Sequence, residues 1–330
     1  MNTGLLYLPK NNPVDQGAPA PASEGKATQK LSIRERVIHT LQHHADVPAL
    51  PATVHRLMDV VKKPTVDIDT IAEVARLDPG ITAKILQVAS SPVFGGKMIQ
   101  NLQDALLMIG LEEMKRIATT ITIIKTFRHL HVRVNWELFW LHSLFTARLT
   151  ETLANVYRPV DGREYLAGLL HDVGKLFFEH NFSQEFEMVV MRAMTSREGM
   201  YEAEQRLLDI THAEVSALLA NKWRLPHEVI GAIQFHHEPN SSLNRDPDDS
   251  KYTPFLSLCV CVANKIANHC HANMQGAETL DDTTLEKMPE WAQLQALNPT
   301  RTLTLDVAGE LAKAREIIDT IKAPGTGNRE

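Results

Sequence analysis

Residues 168–178 read GLLHDVGKLFF, with His171 and Asp172 adjacent at the end of an apolar stretch and Lys175 three residues on. Burying an imidazole and a carboxylate among Leu and Phe is costly unless each finds a partner. The partners open to them are a metal, a substrate, or each other and the backbone. Four further histidines occupy similar ground. His142, His212, His236 and His237 each lie within or at the end of an apolar segment, and Asn264 is a polar residue within another, CVANKIAN. Helical bundles build metal centres from ligands on several helices that converge on the core. Imidazole and carboxylate together suit Fe, Mn, Zn or a similar divalent ion. The plainer alternative is a set of core histidines satisfied by one another and by nearby carbonyls, because residue counts alone do not bring helices together.

Helical spacing supplies the elements that must position these residues. In LPALPATVHRLMDVVKK, Val54, Leu57, Met58 and Val61 share a face, with Pro48 and Pro51 in the entry turn. VDIDTIAEVARLDPG repeats the pattern with Ile71, Val74 and Ala75, and Asp78-Pro79-Gly80 marks its stop. ITAKILQVASS is a short apolar helix ended by Pro92. NLQDALLMIG opens on a capping Asn101 with Asp104 at the third position, and Gly110 supplies a stop. LEEMKRIATTITIIKTF follows as an amphipathic helix, with a strand as the weaker alternative for its Thr and Ile content. From Trp136, WELFWLHSLFTARLTETLANVY is a long helix, apolar over a broad face. Another helix covers about 182–194. Thr211 and Glu214 make a capping box that puts His212 at the first helical position. PHEVIGAIQFHHEP is a helix closing on His236 and His237, residues 240–251 are a polar loop, and PFLSLCVCVANKIANHC is an apolar helix. After about 275 the chain reads as a polar linker and one last amphipathic helix, LDVAGELAKAREIIDTIK. Residues 1–30, rich in Pro, Ala, Asn and Gly, have little to bury and read as a disordered tail. With no Gly-rich phosphate loop and no fixed-period repeat, the fold class is all-α.

A chain of 330 residues has room for about two domains. Its net charge of -6 speaks against nucleic-acid binding as the main activity. The small basic clusters KRIATT and RHLHVR read as solvated faces, and His43 and His44 as exposed. Trp136 and Trp140 read as packing residues. Three cysteines, Cys259, Cys261 and Cys270, give no disulfide framework. His269, Cys270 and His271 read as a solvated helix end rather than as metal ligands with Cys259 or Cys261. Neither a secretory leader nor an apolar run of about 18–20 residues occurs. The expectation is a soluble cytoplasmic protein with no membrane partner.

In their order and spacing, FWLHS, GLLHDVGKL, THAEVSALLANKWRLP, AIQFHH and VANKIA resemble the HD phosphohydrolase superfamily, and more closely its HDOD branch. LPALPATVHRLMDVV, ARLDPGITAKILQVASS and LQDALLMIGLEEMKR are similar to the N-terminal HDOD helices, so the resemblance runs from about residue 38 to 270. It implies an N-terminal helical bundle packed on an HD-domain-like helical bundle. The HDOD subdomain would take 31–130 and the HD-like subdomain, with the metal site, 131–275. A linker and C-terminal helix would follow at 276–330. The resemblance further implies that His142, His171 and Asp172 hold a first divalent ion, with Asp172 bridging, and that His212, His236 and His237 complete a second. Lys175 would sit near a scissile phosphate, making Asp172 and Lys175 the catalytic pair as metal-activated water attacks phosphorus.

Two departures bear on that chemistry. The last Asp position of the superfamily matches Asn264, which can offer a carbonyl oxygen but removes one negative charge. HHEPNSS is not followed by the Gly-Tyr-Pro triplet of HD-GYP cyclic-di-GMP phosphodiesterases. HDOD proteins resemble bacterial signalling and regulatory modules that commonly lack several ligands, and this chain keeps most of them. The resemblance therefore implies a non-hydrolytic signalling module with one or two divalent ions, Fe, Mn or similar. Protein partners or a nucleotide ligand would then carry its signal. The alternative is an active metal-dependent phosphohydrolase, a phosphodiesterase or nucleotide phosphatase.

Overall fold

The computed structural model of the chain describes residues 31–43, 48–52, 54, 79–196, 198–240, 254–272, 285–297 and 305–322. The tail at 1–30, the helical faces built on Leu57, Met58, Val61, Ile71, Val74 and Ala75, the loop after 240, and His44 lie outside the described residues. Among the described residues every regular element is helical, as the all-α reading expects. The helices are α1 Ile33–His43, α2 Pro79–Ala89, α3 Leu102–Phe127, α4 Trp136–Tyr157, α5 Arg163–Leu170, α6 Val173–Asn181 and α7 Ser183–Thr195. They continue as α8 Met200–Leu208, α9 His212–Lys222, α10 His227–Gln234, α11 Pro254–Ala272, α12 Pro289–Leu297 and α13 Val307–Lys322. None of them is long and apolar enough to cross a membrane.

Local chemistry accounts for the starts of α3, α4 and α9. Asn101 caps α3 by accepting from the Asp104 N–H at 2.8 Å, and Asn135 caps α4 from the Leu138 N–H at 3.2 Å. Thr211 caps α9 from the Glu214 N–H at 3.2 Å, so His212 is the first helical residue. Gly110 adopts φ 77° and ψ 165°, a conformation outside the helix that glycine takes freely, so it separates the two helical segments of α3 as the expected stop does. Two features depart from the sequence reading. Met200–Leu208 is a helix that the sequence reading passes over. Pro289–Leu297 is another, inside the stretch read as linker.

The basic cluster KRIATT corrects a further expectation. Lys115 is buried and paired with Glu112, while Arg116 pairs with Glu113 and Glu151, so this stretch is not a solvated face. Carboxylates one turn away and on α4 supply the partners. RHLHVR is largely exposed, as expected.

Helix α4 is the spine. Apolar residues surround it, as in helices buried on all sides, and it packs on α5, α11 and α13. Helix α9 packs on α6 and α10, and α10 also on α5 and α11. Trp140 is buried against Phe127, Phe139 and Trp136 at ring separations of 5.6, 5.2 and 5.6 Å. Trp223, at the end of α9, adds its edge to Phe127 at 6.0 Å and donates its indole N–H to the Pro48 carbonyl at 2.7 Å. Each such ring pair adds about 0.5–1.5 kcal/mol beyond its buried area. Together they tie α3, α4 and α9 into one core.

Candidate metal centre

The opening motif is not one helix. The chain breaks at His171 and Asp172, with α5 ending before the pair and α6 starting after it. The break turns both side chains inward, where each is fully buried. Two glycines make the close packing possible. A side chain at Gly168 would meet the Ala147 backbone of α4 at 2.6 Å, and one at Gly174 would press into the His212 carbonyl of α9. Glycine is thus required where α5 lies on the helix of His142 and where α6 lies on the helix of His212.

Five histidines and Asp172 converge. Ring centroids of His171 lie 5.3 Å from His142 and 4.9 Å from His236; His236 lies 5.5 Å from His212 and 4.2 Å from His237. The ligand atoms fall into two metal-sized groups, His142/His171/Asp172 and His212/His236/His237. Asp172 stands between them. Its Oδ2 is 3.6 Å from His142 Nε2 and 3.4 Å from His171 Nε2, and its Oδ1 is 3.1 Å from His212 Nε2 and 3.9 Å from His236 Nε2. Lys175 donates to Oδ2 at 2.6 Å.

The backbone sets the histidine tautomers. His171 Nδ1 lies 2.8 Å from the Gly168 carbonyl and His236 Nδ1 lies 2.6 Å from the Ile233 carbonyl. A carbonyl only accepts, so each Nδ1 carries a hydrogen and each Nε2 points to the centre. Neither Nε2 makes a hydrogen bond, although both are buried. Buried polar atoms are rarely left so. An inward-facing imidazole nitrogen with its far side anchored is the geometry of a metal ligand. The donor set, nitrogens plus one carboxylate, fits Fe, Mn, Zn or a similar ion.

Electrostatics agree. Burial opposes the Asp172 charge, yet His171 and Lys175 hold its carboxyl well below the usual carboxylate range. Burial and the neighbouring His171 and His212 push His236 well below the ordinary imidazole value; burial with His236 and His212 does the same for His237. Burial also works against a charged His212, but the Glu204 carboxylate raises it.

Glu204 is a residue the sequence reading missed. It is fully buried on α8 and accepts from His212 Nδ1 at 2.6 Å and from the His212 N–H at 2.7 Å. Tyr201, on the same helix, stacks on His237 at 4.4 Å. Their signal was present in MYEAEQRLLDI, where Met200, Ala203 and Leu208 mark a buried face that also carries Glu204. Asn264 is buried on α11, and its Oδ1 accepts from Asn268 Nδ2 at 2.9 Å. His269 and Cys270 are half-buried near the end of α11 and join no metal-sized group with Cys259 or Cys261, both buried thiols, among the described residues.

Comparison with known proteins places this geometry. The HDOD domain model matches residues 47–239. An uncharacterized protein of Treponema pallidum (strain Nichols) is 23% identical over 222 residues, 66% of this chain, and the match spans 42% of that protein's length. Among solved structures, an HDOD domain protein of unknown function from Geobacter sulfurreducens aligns with a TM-score of 0.69 and 25% identity, over 87% of this chain and 97% of that one. A candidate phosphohydrolase from Shewanella amazonensis SB2B shares the fold at a TM-score of 0.62 and 20% identity, over 86% and 97%. A candidate signal transduction protein from Marinobacter aquaeolei VT8 does so at 0.60 and 20%, over 86% of this chain and 65% of that one. With the family model matched over more than half its length, this chain belongs to the HDOD family.

Proposed function

We propose that the chain is a signal-transduction module of the cytoplasm that holds a divalent ion, Fe, Mn or similar, as a structural or sensory ligand and does not hydrolyse phosphoesters. The observation that carries this reading is the state of Asp172. It is the one carboxylate in the two ligand groups, its Oδ1 lies 3.1 Å from His212 Nε2 of the other group, and Lys175 already engages its Oδ2 at 2.6 Å. A bound ion would supply Lewis acidity and a lowered water pKa. Hydrolysis also needs an acceptor for the water proton, and no other carboxylate joins the two ligand groups among the described residues. Where the superfamily carries an Asp, Asn264 offers a neutral amide. Signal output would pass to a protein partner or depend on a nucleotide ligand.

A metal-dependent phosphohydrolase is the second reading. The feature favouring it is Asp172 itself, which presents one oxygen to each group as a bridging carboxylate of a two-metal site does.

One experiment separates the two readings. Protein from cells grown with added Fe and Mn is analysed for metal, then assayed with bis(p-nitrophenyl) phosphate and with nucleotides. The expected result is bound metal that is lost in Asp172→Asn, with no turnover by either protein. Robust metal-dependent turnover by the wild type, abolished in Asp172→Asn, overturns the regulatory reading.

A further inference from the structure

The two halves of the cluster differ in charge. On the His142/His171 side, the Asp172 Oδ2 oxygen is taken by the Lys175 ammonium, itself only 3% exposed. A cation entering there would face a buried like charge. On the other side, Oδ1 faces His212, and a second buried carboxylate, Glu204, sits behind the His212 ring. A carboxylate behind a ligating imidazole fixes its tautomer and strengthens it as a ligand. His212 Nε2 and His237 Nε2 lie 3.0 Å apart, two nitrogens turned to one point, and Tyr201 holds the His237 ring in place by stacking.

We infer that this chain holds a single divalent ion at His212, His236 and His237, completed by Asp172 Oδ1, and that the Lys175 ammonium stands in for a second ion between Asp172, His142 and His171. Glu204 is a positioning residue for that ion. The inference rests on the metal reading above and deepens it: the two-ion arrangement that the resemblance implies becomes one ion and one internal cation.

Titration with Co2+ alone tests this, because its visible absorption reports ions bound to histidine nitrogen. In the full-length wild type the absorbance should break at one equivalent. His142→Ala should still take one equivalent, whereas His237→Ala should lose it; His237 is half-buried at the end of α10, so its removal leaves the helical core intact. Glu204→Gln, which keeps the side-chain shape and removes the charge, should weaken Co2+ binding about 10–100-fold without changing the helical circular dichroism. Lys175→Met should raise the capacity to two equivalents. Two equivalents in the wild type overturn the inference, as does an ion lost in His142→Ala but kept in His237→Ala. A wild type that binds none defeats the metal reading itself, a result distinct from both.

Discussion

Replacing Arg148 by alanine is expected to remove about 3–5 kcal/mol of folding stability, the usual effect of stripping one member from a buried ion network. Arg148 is only 3% exposed on α4. Its guanidinium donates to both Glu113 oxygens, at 2.6 and 3.2 Å, and to Glu310 on α13. Glu113 also receives Arg116, which reaches on to Glu151 of α4 at 2.6 Å. The network therefore clamps α3 and α13 onto the spine helix. Alanine leaves Glu113 buried with only Arg116, which Glu151 also engages, and a large penalty follows from that under-compensated charge rather than from the lost attraction. Replacing Arg148, Glu113 and Glu310 together by apolar residues of similar size should restore much of the loss.

The pH dependence gives a second readout of the same network. Burial opposes ionisation of Glu113, but Arg148 and Arg116 hold its carboxyl below the ordinary value. A depressed acid contributes stability that is present above its unfolded pKa and lost as pH falls through the folded one. Urea unfolding at descending pH should show that loss in the wild type, and the slope should be shallower in Arg148→Ala. Equal slopes, or a stability difference under 1 kcal/mol, would mean that the pairs are mere surface contacts.

How much of this was legible in the sequence follows from how local each signal is. Asn101 and Thr211 announce their helices because a cap is a contact within four residues. The core face of α4 was legible from its apolar breadth. The break at His171 was not, since GLLHDVGKLFF keeps an unbroken apolar pattern and the turn exists only because α5 and α6 pack on different partners. The ligand types could be read from the residues, but their convergence on Asp172 only from the family resemblance, because it needs four helices and the HHE turn in place. Glu204 was easy to pass over for a related reason: α8 is short, and its partner His212 lies across a turn whose corner, Asp209, takes a left-handed φ of 55°. KRIATT misled because Glu151, which neutralises Arg116, stands 35 residues away on another helix.

Gly174→Ala should destabilise the fold by at least about 3 kcal/mol, at or beyond the top of the usual range for overpacking, and should abolish metal retention along with it. The backbone at Gly174 is ordinary helix, so the effect is steric and not conformational. An added methyl group meets the His212 carbonyl and, at 2.9 Å, Ser216 Oγ, which accepts the Gly174 N–H at 2.7 Å. A side-chain oxygen can rotate away; a carbonyl in the first turn of α9 cannot without moving the helix. Because His212 belongs to that turn, relief of the clash displaces His212 Nε2 from Asp172 Oδ1, now 3.1 Å away. Ser216→Ala is the control: it removes only the hydrogen bond and should cost about 1 kcal/mol while leaving metal binding intact. The double variant Gly174→Ala/Ser216→Gly should recover little, since the carbonyl obstacle remains. Thermal melts and metal analysis of the three variants decide the matter. A Gly174→Ala protein that melts near the wild type and keeps its ion would show that α6 and α9 can separate without disturbing the cluster, and that the glycine beside the His-Asp pair does not set its geometry.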